Sequence, residues 1–328
     1  MPLSSILVTG AAGFIGSHVV EALLESGQHD VYCIDNFDSF YSPAIKLQNL
    51  HKASEHPNYH FIELDLVLTS PSALMNLFQN VRFEAIIHLA ARAGVRPSID
   101  NPLSYYDVNV KGTIHLLEFA RLAGIRQFLF ASSSSVYGTN PHVPWKESDL
   151  LYQPISPYAA SKLSAEEMGK VYSHLYGTNF VCLRLFTVYG PRQRPDLAIH
   201  QFYNQIEARL PITLFGDGTT KRDYTYVSDI VSGIVAALHY QSGGFCIVNL
   251  GNHQQVQLLE MIEILEKAMH TRARIRWQVE QPGDVAQTFA DISKAASVLH
   301  YHPMVSFADG IEQFVKWKIQ SQASIAIT

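Results

Sequence analysis

The chain has 328 residues, of which 47% are hydrophobic and 16% are charged. This composition is typical of a globular protein with a substantial core and excludes a disordered or fibrous chain. The formal net charge of −5 predicts no basic surface for nucleic acid or an anionic membrane. No apolar run approaches the about 18 residues of a membrane-spanning helix, so we expect a cytoplasmic protein.

The first half of the chain alternates short apolar strands with helices. The predicted strands are Ser5–Thr9, Val31–Ile34, His60–Leu64, Ala85–Leu89, Phe128–Ala131 and Phe180–Leu185, and the predicted helices are Phe14–Ser26, Pro71–Gln79, Asn109–Ala123 and Pro157–Tyr176. This alternation predicts an α/β fold with a doubly wound, Rossmann-type parallel sheet. Ligands of such sheets bind at the carboxyl ends of the strands. Those ends here carry Gly10, Asp35, Asp65, Ala90, Ser133 and Thr187.

The second half has looser periodicity and is rich in glycine, proline and charge. We expect residues 1–187 to form the sheet domain and a smaller substrate-binding region to comprise residues 188–223 and 254–328. Cys246–Asn249 has the composition of a strand that rejoins the main sheet, so residues 224–253 are assigned to the first domain. The three cysteines form no C-x-x-C pair, which predicts reduced buried thiols and no metal site.

A glycine-rich turn follows the first strand and opens the first helix. Residues Gly10 to Gly16 read G-A-A-G-F-I-G. Glycines allow the backbone to turn tightly and to approach a pyrophosphate, which binds the free N–H groups at the helix N-terminus. The motif therefore predicts a dinucleotide cofactor.

Asp35 ends the second strand, about 20 residues after the glycine turn. A carboxylate at this point can accept hydrogen bonds from both hydroxyls of the adenine ribose. It would also repel a 2′-phosphate, which favours NAD over NADP.

Tyr158 and Lys162 are four residues apart in a helical pattern, a spacing that places both side chains on one face. A free tyrosine has a pKa of about 10, but a nearby ammonium group and a positively charged nicotinamide both favour the phenolate. The pair predicts a base that removes a proton from a sugar hydroxyl while a hydride leaves the same carbon.

Four consecutive serines end the strand that precedes this helix. Ser133, Ser134 and Ser135 are expected at the height where Tyr158 emerges, and their hydroxyls can donate to and accept from a reacting oxygen. The interpretation of a simple turn remains open for the serines taken alone.

These motifs together resemble the extended short-chain dehydrogenase/reductase family of sugar-nucleotide enzymes. The resemblance covers nearly the whole chain and also includes D-N-F at Asp35–Phe37, H-L-A-A at His88–Ala91, S-S-S-V-Y-G at Ser133–Gly138 and R-D-Y-T-Y-V at Arg222–Val227. It implies Tyr158 as the base, Lys162 as the residue that holds the nicotinamide ribose, and Ser133 as an assistant at the reacting hydroxyl.

The resemblance also implies a set of cofactor contacts. These are Gly10, Gly13, Phe14, Ile15, Gly16, Asp35, Asn36, Asp65, Leu66, Leu89, Ala90, Ala91 and Asn109, in addition to Tyr158 and Lys162. UDP contacts are implied at Leu214, Phe215 and Arg222, with Asp284 nearby.

Within the family, three segments are most similar to the UDP-glucuronate 4-epimerase branch: Ala91–Ile99, Arg184–Asp196 and Gln281–Val285. Dehydratases carry an Asp-Glu pair before V-Y-G, and decarboxylases carry a glutamate there, whereas this chain has Ser134 and Ser135. Many UDP-hexose epimerases have R-P-G-D where this chain has Gln281. These differences favour a uronate epimerase over a dehydratase or an ordinary UDP-glucose enzyme.

A uronate substrate needs a group that binds its carboxylate. Guanidinium groups bind carboxylates with forked hydrogen bonds, so we expect Arg194 and Thr187 to hold this group, with Arg192, Arg92 and Arg96 as further candidates. Solvated loop charge or pyrophosphate contact is the alternative interpretation of Arg192 and Arg194.

Other functions remain open at this point. A UDP-glucose or UDP-N-acetylglucosamine type of 4-epimerase is the main alternative, and a net dehydrogenase or a non-catalytic NAD-binding module is a weaker one. The resemblance further implies a homodimer that packs helices near Leu103–Ala123 and Pro157–Tyr176 into a four-helix bundle.

Overall fold

The computed structural model describes residues 3–150, 153–241, 243–279 and 285–325. Its strands are β1 (Ser4–Thr9), β2 (His29–Asp35), β3 (Tyr59–Glu63), β4 (Phe83–His88), β5 (Gln127–Ser133), β6 (Asn179–Leu185), β7 (Thr187–Tyr189), β8 (Ile212–Phe215), β9 (Lys221–Tyr226), β10 (Phe245–Leu250), β11 (Gln255–Gln257) and β12 (Ile275–Gln278). Its helices are α1 (Phe14–Glu25), α2 (Pro43–Ser54), α3 (Pro71–Leu77), α4 (Val95–Asp100), α5 (Pro102–Tyr106), α6 (Gly112–Ala123), α7 (Pro157–Tyr176), α8 (Ala198–Glu207), α9 (Val227–Leu238), α10 (Leu258–Met269), α11 (Ser293–Leu299) and α12 (Phe307–Ile325).

Seven strands form one parallel sheet in the order β10-β6-β5-β4-β1-β2-β3. This arrangement confirms the predicted α/β, doubly wound fold. The strand order reverses at β1, whose two neighbours, β2 and β4, are followed by helices on opposite faces. In register, Val8 of β1 lies beside Cys33 of β2 and Ile87 of β4. The crevice at this reversal is where such folds bind ligands.

Successive residues of the strands fill hydrophobic cores on opposite faces of the sheet, as the pleat requires. Ile6 and Val8 join the core that contains residues of α1 and α9, whereas Leu7 joins the core that contains residues of α3, α6 and α7. Each fully buried aliphatic side chain contributes about 1.5–3 kcal/mol to stability. The carboxyl ends of the strands are therefore held by two cores at once.

β10 pairs with β6, which confirms that the strand predicted at Cys246–Asn249 rejoins the main sheet. Two small sheets lie beyond it, one in the order β11-β9-β7 and one of β12 with β8. The division into residues 1–187 with 224–253 and residues 188–223 with 254–328 stays a prediction. The three cysteines are free and buried, as expected.

Candidate active site

A cavity of about 390 Å³ opens at the carboxyl ends of β1, β2, β4 and β5. Most of the predicted site residues line it: Gly10, Gly13, Phe14, Ile15, Gly16, Asp35, Asn36, Asp65, Leu66, Leu89, Ala90, Ala91, Ser133, Ser134, Ser135, Tyr158, Lys162, Thr187 and Arg194. Residues that are up to about 180 positions apart in the sequence, from the glycine turn to Arg194, thus share one cavity.

The glycine turn has no room for side chains. Gly10 has φ +70°, and a Cβ placed on it would lie 2.6 Å from the backbone nitrogen of Ala90. A Cβ on Gly16 would lie 2.1 Å from the carbonyl oxygen of Gly10. The turn delivers the chain directly into α1, which begins at Phe14. The first N–H groups of α1, from Phe14 onward, have no acceptor within the helix, and this fits the binding of a dinucleotide pyrophosphate.

Asp35 is a buried carboxylate at the end of β2. Its Oδ2 accepts a hydrogen bond from the Ala12 N–H at 3.1 Å, and its Oδ1 accepts one from the Phe37 N–H at 2.9 Å. The Lys46 ammonium on α2 lies 3.5 Å from Oδ1. The carboxylate is thus fixed beside the glycine turn, where the ribose of a bound dinucleotide would need it.

Asn36 and Asp65 connect the ends of β2 and β3. The Asn36 amide donates to Asp65 Oδ2 at 3.0 Å, and Asp65 Oδ1 accepts a hydrogen bond from the Val67 N–H at 2.7 Å. Both residues line the cavity beside Leu66. These bonds shape the wall that would contact the adenine half of the cofactor.

Asn109 does not line the cavity, and its direct contact with the cofactor stays a prediction. In the structure its side chain contacts other residues of the protein. It lies in a π-helical turn, Asp107–Lys111, just before α6. Its side chain accepts a hydrogen bond from the Arg92 N–H at 2.8 Å and donates to the Arg92 carbonyl and to Ser161 Oγ, both at 2.9 Å. Asn109 therefore ties the segment after β4 to α7.

The start of α7 places Tyr158 and Lys162 on the sheet. Ser156 caps the helix by accepting a hydrogen bond from the Ala159 N–H, and Pro157 occupies the first turn. The Lys162 ammonium donates to the Ala131 carbonyl of β5 at 2.8 Å. Burial lowers the pKa of Lys162 to about 8. Burial also raises the pKa of Tyr158, while a hydrogen bond with Ser133 and the charge of Arg194 oppose that rise.

The serine run forms a tight turn opposite Tyr158. Ser133 ends β5 and its Oγ accepts a hydrogen bond from the Ser135 N–H at 3.1 Å. The same Oγ donates to Ser135 Oγ at 3.1 Å, and the Ser133 hydroxyl opposes the rise in the pKa of Tyr158. The serine hydroxyls and Tyr158 line the same cavity, where they can exchange a proton with a bound hydroxyl.

Thr187 and Arg194 also line this cavity. Thr187 begins β7, directly after β6. Arg194 lies in the loop between β7 and α8, and its guanidinium lies 5.1 Å from the centre of the Phe40 ring. A guanidinium and a hydroxyl are therefore available within the cavity that holds Tyr158.

Arg192 contacts the protein instead of the cavity. Its Nη2 pairs with Glu21 Oε1 of α1 at 2.6 Å, and it does not line the cavity. Its backbone is left-handed, with φ +62°. Arg192 thus joins the loop to α1, and its contact with the substrate stays a prediction.

The residues predicted to bind UDP lie beyond the cavity lining. The Leu214 side chain is buried in the core, so only its backbone can meet a ligand. Arg96 lies 4.9 Å from the centre of the Phe215 ring, and Arg222 Nη1 donates to the Lys221 carbonyl at 2.9 Å. Asp284, together with Gln281, lies outside the described residues.

Several lining residues were not predicted. Lys46 and Tyr41 stand near Asp35, and Asp38 pairs at 2.8 Å with Arg92, which was predicted as a candidate for the carboxylate. The dipeptide Ser42-Pro43 is a helix start signal that could have revealed α2 and with it Lys46. Nothing local in the sequence pairs Asp38 with Arg92, 54 residues away.

Within the described parts of the chain, no group of three or more His, Cys, Asp or Glu side chains is placed to hold a metal ion. Over the same ranges, no helix combines the length and the apolar character that crossing a bilayer requires.

Comparison with known proteins identifies the family. The family model described as GDP-mannose 4,6 dehydratase matches residues 7–314. The chain belongs to the extended short-chain dehydrogenase/reductase family. Among members of this family, it is 41% identical to a UDP-glucuronate 4-epimerase of Thermodesulfobacterium geofontis, over 95% of each chain.

Solved structures of short-chain dehydrogenase/reductase enzymes give the same relationship. The UDP-glucuronic acid 4-epimerase of Bacillus cereus, in complex with UDP-glucuronic acid and NAD, is 39% identical and superposes with a TM-score of 0.89 over 97% of this chain and 99% of the other. The UDP-glucose 4-epimerase of Thermotoga maritima, with UDP-glucose, is 31% identical and has a TM-score of 0.88 over 97% and 99%.

Proposed function

We propose that this chain is an NAD-dependent UDP-glucuronate 4-epimerase, which interconverts UDP-glucuronate and UDP-galacturonate through a 4-keto sugar. The observation that carries the proposal is the presence of Arg194 and Thr187 in the same cavity as Tyr158 and Lys162. The cavity thus holds the parts for proton transfer and a guanidinium for binding a carboxylate, and the charge of Arg194 acts on Tyr158. The similarity to UDP-glucuronate 4-epimerases supports the same assignment.

The glycine turn and Asp35 fit NAD, which when bound accepts a hydride from the sugar and returns it. The chain itself supplies the proton transfer. Tyr158 removes the proton of the C4 hydroxyl as base, and Ser133, whose hydroxyl opposes the rise in the pKa of Tyr158, assists at the same oxygen. The Lys162 ammonium, held by the Ala131 carbonyl, favours the phenolate form of Tyr158.

The carboxylate of the substrate poses a chemical problem that Arg194 addresses. Oxidation at C4 makes the ketone β to the C5 carboxylate, and β-keto acids lose CO₂ when the C–C bond aligns with the carbonyl π system. The enzyme must therefore hold the carboxylate while the sugar ring turns over. A guanidinium provides a planar, charge-assisted hydrogen bond that can keep the carboxylate in place.

Ser134 and Ser135 support epimerisation over elimination. They occupy the turn after β5, where dehydratases of the family are expected to carry an acid pair. Serine has no carboxyl group to protonate a leaving hydroxyl. A family model that is described as a dehydratase is therefore compatible with an epimerase, because the two reactions share the oxidation step.

We further propose that the chain is a cytoplasmic homodimer. The surface of α5, α6 and α7 carries large apolar side chains that remain exposed in the single chain, among them Leu103 (78%), Leu175 (60%), Tyr176 (48%) and Leu122 (46%). Exposed apolar residues that are grouped on neighbouring helices are typical of a helix-to-helix interface.

The experiment that tests the reaction is NMR of the products formed from UDP-glucuronate by the pure protein with NAD, beside a UDP-glucose control. We expect UDP-galacturonate without CO₂ release and without accumulation of NADH. Turnover of UDP-glucose alone would retain the role of Tyr158 but would contradict the uronate assignment. Net formation of NADH would indicate a dehydrogenase.

A further inference from the structure

The loop between β7 and α8, residues 190–197, has an unusual backbone just before Arg194. Arg192 adopts a left-handed conformation with φ +62°, which is strained for a residue that has a side chain. Such a conformation persists only when the surroundings impose it. The contacts of this loop show what imposes it.

Two helices fix the residues that precede Arg194. On α1, Glu21 Oε1 pairs with Arg192 Nη2 at 2.6 Å, and His18 Nε2 lies 3.0 Å from the Pro191 carbonyl oxygen. On α8, His200 Nδ1 lies 2.7 Å from the Gln193 carbonyl oxygen. The three residues before Arg194 therefore each make a contact outside the loop, and the position of its backbone is set by α1 and α8.

The guanidinium of Arg194 is itself held along one edge. Its Nε and Nη2 donate to Asp196 Oδ1 at 2.9 Å and Oδ2 at 2.6 Å. Nη2 also approaches the Ala93 carbonyl at 3.4 Å, and the Phe40 ring lies under the plane. Nη1 has no hydrogen bond to any residue that the structure describes. One edge of the fork is thus used by the protein, and Nη1 is left for a ligand.

We propose that Asp196 and the Glu21–Arg192 pair are positioning residues that orient Arg194 for the sugar carboxylate and so determine the preference for a uronate over a neutral hexose. The proposal rests on the proposed function. None of these three side chains lines the cavity, so each acts through Arg194 or through the loop that carries it.

The effect of Asp196→Asn on the affinity for a uronate distinguishes a positioning role of Asp196 from simple charge balance. If Asp196 were only a counter-ion, replacing it with asparagine would leave the guanidinium with more unneutralised charge, and a uronate would bind more tightly. If Asp196 orients the guanidinium, the same change frees the side chain to rotate, and a uronate binds more weakly. A neutral hexose is indifferent in both cases because it makes no ion pair.

The chain offers a matched control for Glu21. Glu25 lies one turn farther along α1, and both carboxylates contact the Lys52 ammonium, Glu21 at 3.7 Å and Glu25 at 2.6 Å. Of the two, Glu21 contacts Arg192. Replacing each with glutamine removes one carboxylate charge beside Lys52, but the Glu21→Gln change also releases the loop.

The test is isothermal titration calorimetry of NAD-loaded protein with UDP-glucuronate and, separately, UDP-glucose. For Glu21→Gln and Asp196→Asn we expect the Kd for UDP-glucuronate to rise about tenfold, the scale of a charge-assisted hydrogen bond, with the Kd for UDP-glucose unchanged. Glu25→Gln should match the wild type for both ligands. A general loss of structure would instead weaken both ligands together.

The outcomes separate the two proposals. Tighter binding of UDP-glucuronate by Asp196→Asn, equal changes for both ligands, or selectivity that survives in both variants would overturn the positioning roles. The product NMR of the wild type is run on the same preparation. A wild type that neither epimerises UDP-glucuronate nor prefers it to UDP-glucose would overturn the proposed function itself.

Discussion

At the scale of single residues, the hydroxyl of Tyr158 is the group on which the proposed reaction depends. Replacing it with phenylalanine keeps the ring, which packs 6.1 Å from that of Tyr105, and removes only the hydroxyl. We expect turnover to fall on the order of 10²–10⁴-fold or more, because the general base is lost. Steady-state kinetics measure this, and fluorescence titration should show NAD binding retained.

A second tyrosine on the same helix provides the control. Tyr176 ends α7 and is half exposed, far along the helix from the cavity. Tyr176→Phe should therefore keep wild-type turnover. Normal activity in the Tyr158→Phe variant would remove the proposed base.

Arg194 is the second residue whose loss has a defined result. In Arg194→Ala the cavity keeps Thr187 but loses the Arg194 guanidinium, so the uronate loses the proposed ion pair. We expect kcat/KM for UDP-glucuronate to fall about tenfold to a hundredfold, while any turnover of UDP-glucose is unaffected. Competition assays with the two nucleotides measure the ratio directly. An unchanged KM and kcat for UDP-glucuronate would exclude Arg194 as the carboxylate ligand.

The predicted residues that the structure brings into one cavity are mostly those with a local signature. The glycines around Gly10, the Asp35 strand end and the Tyr158–Lys162 spacing each combine a residue type with a position relative to a strand or helix. Arg192 and Arg194 share residue type and segment, so the pattern alone cannot separate them. In the structure Arg194 lines the cavity, whereas Arg192 pairs with Glu21, 171 residues earlier.

At the scale of elements, a buried ion pair joins α7 to β6. Glu166 of α7 pairs with Arg184 at 2.7 Å, both side chains are 2% exposed, and Ser132 Oγ of β5 donates to the same carboxylate. Removing one partner leaves the other charge buried. We expect Glu166→Gln to lower the free energy of unfolding by about 3–5 kcal/mol in urea denaturation.

A double variant is the control for the pair. Glu166→Met with Arg184→Met replaces both charges with apolar groups of similar length and should regain much of that loss. If Glu166→Gln alone were as stable as the wild type, the pair would not hold these elements together.

The end of β4 predicts a pH dependence of stability. His88 lies between Thr9 and Thr113, whose hydroxyl oxygens are 2.7 Å and 2.9 Å from its ring nitrogens. Thr113 donates its own hydrogen to the Asn109 carbonyl, so the imidazole must donate to Thr113 and accept from Thr9. Burial lowers the pKa of His88 to about 3, which means that the folded protein keeps the ring neutral.

The sign follows from the two pKa values. Between pH 6.5 and about 3 the unfolded chain binds a proton at His88 that the folded protein excludes. The contribution of neutral His88 to the free energy of unfolding is therefore fully present above pH 6.5 and is lost as the pH falls. Urea midpoints from pH 8 to pH 5 should decline more steeply for the wild type than for His88→Asn. Parallel curves would show that His88 does not contribute to acid sensitivity.

Helices and strands are predicted from the sequence where apolar periodicity is clear, and they are missed where polar residues face the core. The predicted bounds of α7 agree with the structure, and those of the six first-half strands agree within a few residues. α2 was not predicted because its buried face consists of Lys46, Asn49, Leu50 and Ala53, which follow helical spacing but are not all apolar. Its lysine is buried because Asp35 pairs with it.

At the scale of the whole molecule, the apolar faces of α5 to α7 predict a dimer that depends on a few exposed side chains. A charge at Leu175, which is 60% exposed on α7, would be buried without a partner in the interface. Light scattering should report a dimer for the wild type and a monomer for Leu175→Glu. Leu47→Glu, at a similarly exposed leucine on α2, is the matched control and should stay dimeric.

The order of the sheet could be predicted only in part. Alternating strands and helices predict parallel pairing of neighbours in the sequence, which the structure confirms for β1 with β2, β2 with β3, β4 with β5 and β5 with β6. β3 and β4 do not pair, because β4 lies on the other side of β1. The return of β10 to the edge beside β6 was suggested by one short apolar run. The two small sheets were not predicted, because three-residue and four-residue strands such as β7 and β8 are too short to establish a period.

The pairing of β10 with β6 limits how this enzyme can be recombined with its relatives. A chimaera that exchanges everything after residue 187 also replaces the edge strand of the main sheet, and a fragment that stops there exposes β6, whose seven residues are all buried. Crossovers placed at Phe186, in the loop of residues 216–220 and in the loop of residues 251–254 exchange two separate segments and retain β10 and α9 with their partners. Substrate preference is then transferable without rebuilding the cofactor site.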